Sequence, residues 1–393
     1  MSPRSRSPDI LSPARRRGLT IRLLDWFAHS ARDLPWRRTS DLYAIWISEI
    51  MLQQTQVATV IGYWGRFMAR FPDVPSLAAA DEQDVLRLWE GLGYYRRARQ
   101  LHAAARVIAT EHGGEFPTTY EAVRSLPGIG RYTAGAILSI GLDARLPILE
   151  ANTIRVLSRL TAFRGDPKSA AGQKQLWSVA EAILPSNRVG AFNQGLMELG
   201  SEICTPKAPA CGECPVAALC EARRRGLAEA IPRAAKRTVY EDVTEAAVVI
   251  RSGNRILLRR CQEGERWAGL WDFPRFAINA IDDGNAAREV SRGVQGLLEL
   301  RIASPTLLAS FKHGVTRFRI ALHCFEAELR ADSQPIRMRR GTKAIRWVAV
   351  EQLTDYPLSV TGRKISHLLV QQVNRQIAPA SAARRKCSRC NEG

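Results

Sequence analysis

Near residue 240 the hydrophobic pattern of this chain changes period, and that change constrains its fold more than any other feature. Upstream, apolar residues recur at helical spacing in stretches such as "DLYAIWISEIMLQQTQVATVIGYW", punctuated by Gly and Pro. Downstream, "AAVVIRSGNRILLRR" reads as a hairpin with a Ser-Gly-Asn turn and "RFRIALHCFEAEL" as a long strand. A mainly helical domain followed by an α+β domain is therefore expected, and 393 residues suit two cores at roughly 100–200 residues each. The charged stretch "RAAKRTVYEDV" reads as the connector, with the linker drawn at 230–241.

With 46% apolar and 24% charged residues, the bulk reads as a soluble globular protein. No segment approaches the ~18 uninterrupted apolar residues that cross a bilayer. The formal net charge of +19 favours a polyanionic partner, because Lys and Arg displace condensed counterions from a nucleic-acid backbone. Residues 1–18 are rich in Ser, Pro and Arg and read as a disordered basic arm rather than a secretory signal. Asp9 and the prolines argue against an organelle transit peptide without excluding organelle targeting, so a cytoplasmic, nucleoid-associated protein is expected. A second basic tail, 377–393, closes the chain and carries Cys387 and Cys390 as an exposed pair.

Four of the eight cysteines crowd into "CTPKAPACGECPVAALC" as Cys204, Cys211, Cys214 and Cys220. Tight spacing with interleaved prolines favours metal ligation by thiolates over disulfides. Zinc and an iron–sulfur cluster both accept four thiolates, and composition does not separate them.

Upstream, "SLPGIGRYTAGAILSIGL" places Leu126, Pro127 and Gly128 at the end of one helix, Gly130 in a tight turn and Thr133–Ile140 in the next helix. Such a hairpin aims backbone N–H groups, at the positive end of a helix, toward an anion. Two carboxylates stand out. Glu49 is the lone charge between Leu42 and Leu52 on a helix apolar on nearly all sides, where desolvation raises a carboxyl pKa and suits a general acid. Taken alone, a buried Glu is as often a satisfied structural partner. Glu150 ends the apolar run "RLPILE" just where a helix begins. Glu is a poor cap, so Asn152 or Thr153 is expected to cap that helix while its N-terminus keeps Glu150 ionised.

The cysteine loop and the hairpin resemble those of endonuclease III-like DNA glycosylases, which implies a helix-hairpin-helix domain with a [4Fe-4S] cluster on the four cysteines. "SEIMLQQTQV", "GLGYYRRARQL" and "LPWRR" resemble MutY-type adenine DNA glycosylases over roughly residues 20–225. The resemblance implies a glycosylase domain at 19–229, including the cluster loop 204–220, and double-stranded DNA containing adenine mispairs as the partner. It implies catalytic roles for four residues. Glu49 protonates adenine N7, Glu150 stabilises the sugar cation twenty residues after Gly130, Asn152 lies beside it, and Tyr132 lines the reaction site. In the superfamily an aspartate holds the place of Glu150, and bifunctional members carry a lysine where Tyr132 stands, so no Schiff-base lyase is expected. Leu52, Gln54 and Tyr94 match residues that enter the duplex when the base leaves it. Gly128 and Gly130 hold the DNA backbone, and Trp36, Arg37 and Gln194 are candidates for the adenine pocket.

Residues 242–376, most clearly "RWAGLWDFPRF", resemble the Nudix-like domain of the same family. The segment "REVSRGVQGLLEL" sets Arg292 and Gly293 where paired metal-binding glutamates are expected, so binding without hydrolysis is expected. Val315, Thr316 and Arg317 replace the Phe-Ser-His that reads 8-oxoguanine in the family, leaving the Thr316 hydroxyl to contact the lesion. The sequence thus reads as a monomeric, monofunctional adenine DNA glycosylase acting on adenine opposite 8-oxoguanine or guanine. Two alternatives stand beside it: a lesion-binding protein impaired by Glu150, and a mismatch glycosylase of different base specificity.

Overall fold

The computed structural model describes residues 12–233, 239–279, 285–333 and 345–384. Residues 1–11 of the basic arm, 234–238 of the connector and 385–393 of the tail, with Cys387 and Cys390, lie outside the described residues. The chain packs as two units, 1–80 with 99–236 and 81–98 with 237–393. No helix among the described residues is long and apolar enough to cross a membrane.

Twelve helices precede the strands among the described residues. They are α1 (Pro13–Ser30), α2 (Leu42–Leu52), α3 (Val57–Arg70), α4 (Val74–Ala79), α5 (Glu82–Leu88), α6 (Arg96–Glu111), α7 (Tyr120–Ser125), α8 (Arg131–Leu142), α9 (Ala151–Leu160), α10 (Ala170–Ala182), α11 (Val189–Glu202) and α12 (Glu221–Arg224). Helix α2 is buried from Leu42 to Met51 because α3 and α8 pack against it. That explains why its sequence shows no polar stripe. Its start is fixed by Asp41, whose carboxylate accepts the backbone N–H groups of Tyr43 and Ala44 at 3.1 and 3.3 Å. Leu19, Leu23, Val156, Leu157, Leu176 and Phe192 form a second core among α1, α9, α10 and α11.

Two expectations need correction in this unit. Residues 13–18 are not a disordered arm but the first turns of α1, where Arg15 and Arg16 donate to the carbonyls of Leu219 and Ala182, each at 3.1 Å. These bonds, with Pro13 at the first helical position, order a stretch whose composition alone reads as unfolded. The helix after the hairpin starts at Arg131 rather than Thr133, with Gly130 as its N-cap. Gly128 has φ of +78°, a conformation glycine adopts without strain and the one this turn needs.

The second unit contains β1 (Glu241–Ser252), β2 (Arg255–Arg260), β3 (Trp271–Asp272), β4 (Arg275–Ala277), α13 (Ala286–Leu298), β5 (Thr306–Val315), β6 (Phe318–Glu328), β7 (Ile345–Ala349) and α14 (Val360–Arg384). The sheet runs β3-β2-β1-β6-β5, with β4 paired to β1 and β7 to β2, and β1 and β6 are parallel. Alternate residues of β1 serve opposite cores. Ala247 and Val249 join Ile365 and Leu369 of α14, whereas Ala246, Val248 and Ile250 join Val290 and Val294 of α13. A strand covered on both faces accounts for the unbroken apolar run "AAVVI". Glu241–Val243, read as connector, are the first residues of β1, because pairing with Phe318–Ile320 extends the strand. Residues 377–384, read as tail, continue α14. Arg292 is exposed, and a Cβ at Gly293 would fall 2.1 Å from the Phe276 ring, so this helix face has no room for a glutamate there.

Candidate active site and cysteine loop

A cavity of about 440 Å³ opens between α2, α8, the start of α9 and α11. Eight of the residues singled out from the sequence line it: Trp36, Arg37, Glu49, Leu52, Tyr132, Glu150, Asn152 and Gln194. Gln54 does not line it; it is exposed, with φ of 57°, in the turn that leads into α3. Gly128 and Gly130 form the hairpin outside the cavity lining. Tyr94 and Thr316 belong to the second unit, both exposed and both with positive φ, 47° and 53°. The Thr316 hydroxyl donates to the carbonyl of Val315 at 2.7 Å, so its proton is engaged within the β5–β6 turn.

Glu49 projects from α2, which is buried all round, and is itself 5% exposed. The Tyr132 hydroxyl, one residue into α8, donates to Glu49 Oε2 at 2.7 Å and lies 3.4 Å from Met197 Sδ. Burial pushes the Glu49 carboxyl up; the Tyr132 bond and the Arg37 cation oppose this and the charge of Glu150 adds to it, leaving the group at about 7. Burial together with the two carboxylates drives the Tyr132 phenol well above its ordinary range, so at neutral pH it is a donor.

The opening of α9 differs from expectation. Glu150 is the N-cap: its two carboxylate oxygens accept the N–H groups of Asn152 and Thr153, each at 2.8 Å, while its own N–H donates to Thr153 Oγ1 at 2.8 Å. With φ of −135° the extra methylene folds back over the first turn, which makes Glu an effective cap here. Thr153 completes this box, and Asn152 contributes only its N–H. Burial raises the Glu150 carboxyl, and the two N–H bonds and Arg155 only partly offset it.

Sequence reasoning missed Glu198 and Arg32, which also line the cavity. Glu198, 1% exposed, accepts from Arg32 at 2.7 Å and from Arg37 at 2.9 Å. Burial pushes this carboxyl up, but the hydrogen bonds from the two arginines outweigh it and hold it near 2. The signal was available: like Glu49, Glu198 interrupts the apolar run "GLMELG".

Behind Asn152, α9 reaches the cysteine loop. Arg155 donates to Asn152 Oδ1 at 2.8 Å and to the carbonyls of Gly200 and Cys204, each at 2.6 Å. One turn on, Arg159, 2% exposed, donates to Cys204 Sγ at 3.2 Å and to the carbonyls of Thr205 and Ile231 at 2.8 and 2.7 Å.

The donor set fits a polynuclear cluster. Cys204, Cys214 and Cys220 pack against the core of the helical unit. Burial, reinforced by the three neighbouring thiols, pushes the Cys214 thiol up to about 11, and Cys220 is raised in the same way, so deprotonating this set calls for a cationic partner. Backbone N–H groups of Val216, Ala222 and Arg223 point at these sulfurs, as they do around anionic clusters. Zinc also accepts four thiolates, so the choice of cluster rests on the match of this loop to known proteins.

Comparisons with known proteins agree. Residues 47–182 match the model of the HhH-GPD superfamily of base excision DNA repair proteins, 204–220 the iron–sulfur binding domain of endonuclease III, and 246–368 the NUDIX domain. Over 255 residues the chain is 40% identical to the adenine DNA glycosylase of Buchnera aphidicola subsp. Schizaphis graminum, covering 65% of this chain and 74% of that protein. It is 42% identical over 265 residues to the human adenine DNA glycosylase, covering 65% of this chain and 48% of the relative. The chain thus spans about half the length of the mammalian relatives it matches. A solved thermostable thymine-DNA glycosylase shares the helical fold with a TM-score of 0.50 and 29% identity, over 53% of this chain and 97% of that one. The chain belongs to the adenine DNA glycosylase family. Its cofactor is a [4Fe-4S] cluster served by Cys204, Cys211, Cys214 and Cys220.

Proposed function

We propose that this protein binds duplex DNA and removes adenine mispaired with 8-oxoguanine or guanine by hydrolysing the N-glycosidic bond. The observation that carries the reading is the pairing, in one cavity, of a carboxyl poised near neutrality, Glu49, with a second carboxyl, Glu150, at a helix start. An acid that protonates the base and an anion that faces the sugar are what dissociative C–N cleavage needs.

The target adenine leaves the stack and enters the cavity, with Tyr94 and Leu52 filling the gap it leaves. Glu49 gives its proton to adenine N7, the C1′–N9 bond breaks with its electron pair leaving on the base, and Glu150 faces the cation that forms. Water adds to C1′ and returns a proton to a carboxylate. Tyr132 keeps Glu49 oriented and has no amine with which to form a Schiff base. The Glu198 carboxylate, held ionised between Arg32 and Arg37, offers acceptors to an exocyclic amine, and Arg37 and Gln194 offer donors to ring nitrogens. Cys204, Cys211, Cys214 and Cys220 would hold the cluster, which would fasten the 204–220 loop or sense DNA and take no part in the chemical step. The β5–β6 turn with Thr316 and Arg317 meets the opposite base.

Single-turnover strand scission after alkali, on duplexes carrying adenine opposite 8-oxoguanine, guanine or thymine, tests the reading. Cleavage of the first two and not the third is expected. Tight binding of the first duplex without product would mean a lesion binder, and cleavage of a thymine mispair in its place would mean a different base specificity.

A further inference from the structure

Tyr94 stands in the turn between α5 and α6, 48% exposed and with φ of 47°. A bulky aromatic residue holds that left-handed conformation only where its surroundings enforce it, and such enforced residues cluster where proteins grip ligands. The enforcing group is identifiable. The Arg97 guanidinium lies 5.5 Å from the centroid of the Tyr94 ring and 5.4 Å from that of Trp89, so one planar cation serves two aromatic faces. Its NH2 also donates to the carbonyls of Leu92 and Gly93, at 3.4 and 3.3 Å. Three more bonds close the turn: Arg97 N–H to the Tyr94 carbonyl at 2.8 Å, Trp89 Nε1–H to the Gly93 carbonyl at 3.2 Å, and Gly91 N–H to the Tyr95 hydroxyl at 3.2 Å.

Arg97 is 8% exposed, and Trp89 is fully buried. Burial lowers the guanidinium to about 10, which leaves it cationic at neutral pH. The rigid part of this assembly is therefore Trp89 and the turn carbonyls, and the exposed part is the Tyr94 ring that the cation ties to them. Lysine matches the charge but not the geometry, because an ammonium lacks the flat face and the fork that reaches two carbonyls while contacting two rings.

We propose that Arg97 is a positioning residue that presents the Tyr94 ring to the DNA stack in a pre-formed orientation, so that the order of this turn precedes DNA binding. This rests on the reading of Tyr94 as a duplex-entering residue; the hold of Arg97 on Tyr94 does not. An aromatic ring stacked on a base strengthens binding by about tenfold to a hundredfold, and a ring that must first be ordered gives part of that back.

The test uses the full-length, cluster-loaded protein labelled with 3-fluorotyrosine, with the Tyr94 signal assigned through Tyr94→Phe. In the unmodified protein the Tyr94 fluorine resonance is expected away from the position of a freely exposed tyrosine, and in Arg97→Lys it is expected to move to that position. With an A:8-oxoguanine duplex, Arg97→Lys should weaken binding by about tenfold. The rate of base release at saturating enzyme should stay within about twofold, and Arg97→Lys/Tyr94→Ala should bind no worse than Tyr94→Ala alone. A Tyr94 resonance already at the exposed position in the unmodified protein overturns the proposal without any variant, which covers a substitution that fails to fold. So does an unmoved signal in Arg97→Lys, or binding losses that simply add. If the unmodified protein releases no base, the glycosylase reading fails while the fluorine result still decides the role of Arg97.

Discussion

The Tyr132 hydroxyl donates to Glu49 Oε2 across 2.7 Å inside the cavity that Glu150 also lines. This bond pulls the Glu49 carboxyl downward against burial. Removing it in Tyr132→Phe therefore raises the pKa of Glu49. A general acid works protonated, so the rate is full below that pKa and falls as pH rises through it. The basic limb of the single-turnover pH profile should move to higher pH in Tyr132→Phe, while the plateau falls about two- to tenfold, the worth of one neutral hydrogen bond. A limb that stays in place, or moves to lower pH, means that Tyr132 does not act through Glu49.

Glu49 itself makes activity and stability diverge. Glu49→Gln removes the proton donor and should slow base release by about a hundredfold or more. The same carboxyl sits at about 7 in the folded protein against an ordinary 4.5, so folding favours its protonated form. The burial cost is absent below the ordinary pKa, grows between the two values and is complete above about 7. At pH 8 the cost approaches ~3 kcal/mol as an upper bound. Glu49→Gln should therefore match the unmodified protein in thermal unfolding near pH 5 and exceed it near pH 8, and calorimetry at the two pH values reads the difference directly. A variant less stable at pH 8 than at pH 5, relative to the unmodified protein, would contradict the burial argument.

Glu150 has two separable roles, cap and anion. Both oxygens accept backbone N–H groups of the first turn of α9. Glu150→Gln keeps one of the two cap acceptors but removes the charge, and the rate should fall by about 10²–10³ while stability falls by less than on losing the whole cap. Glu150→Ala loses the cap as well, at about 0.5–2 kcal/mol. Glu150→Asp keeps charge and cap, because Asp is itself a strong N-cap, and is expected to stay active. A Glu150→Gln protein as fast as the unmodified one would move the cation-stabilising role elsewhere.

Much of this site was legible before any coordinates. Glu49 declared itself as a lone charge in an all-apolar helix, and the cysteines did so by spacing, because a burial pattern and a ligand set are local in sequence. Glu198 and Arg32 were not legible as a pair, since 166 residues separate them and only the packing of α1 against α11 brings them together. Arg155 and Arg159 look like ordinary helix charges at i and i+4 until the 204–220 loop covers them. The order of residues 13–18 was hidden for the same reason, because carbonyls of Ala182 and Leu219 hold it. The capping role of Glu150 was hidden in a different way. Residue-type preference describes the average helix start, and here a long side chain with extended backbone meets a threonine three residues on.

Helix α11 touches the start of α9 through Gly200, where a Cβ would lie 2.6 Å from Asn152 Cβ and 3.1 Å from the Asn152 carbonyl oxygen. Neither contact can relax by rotating a side chain, so Gly200→Ala must push the two helices apart. The stability loss should be about 1–3 kcal/mol, as for an extra methyl in a packed core. The rate should suffer more than stability alone explains, because the displaced residues adjoin Glu150, and a shift of about 1 Å at a reacting group costs roughly a hundredfold. Single-turnover rates measured well below the melting temperature, with circular dichroism confirming a folded protein, separate the two effects. Full activity in a folded Gly200→Ala protein would show that the position of Asn152 tolerates movement and that the close approach of the helices serves packing alone.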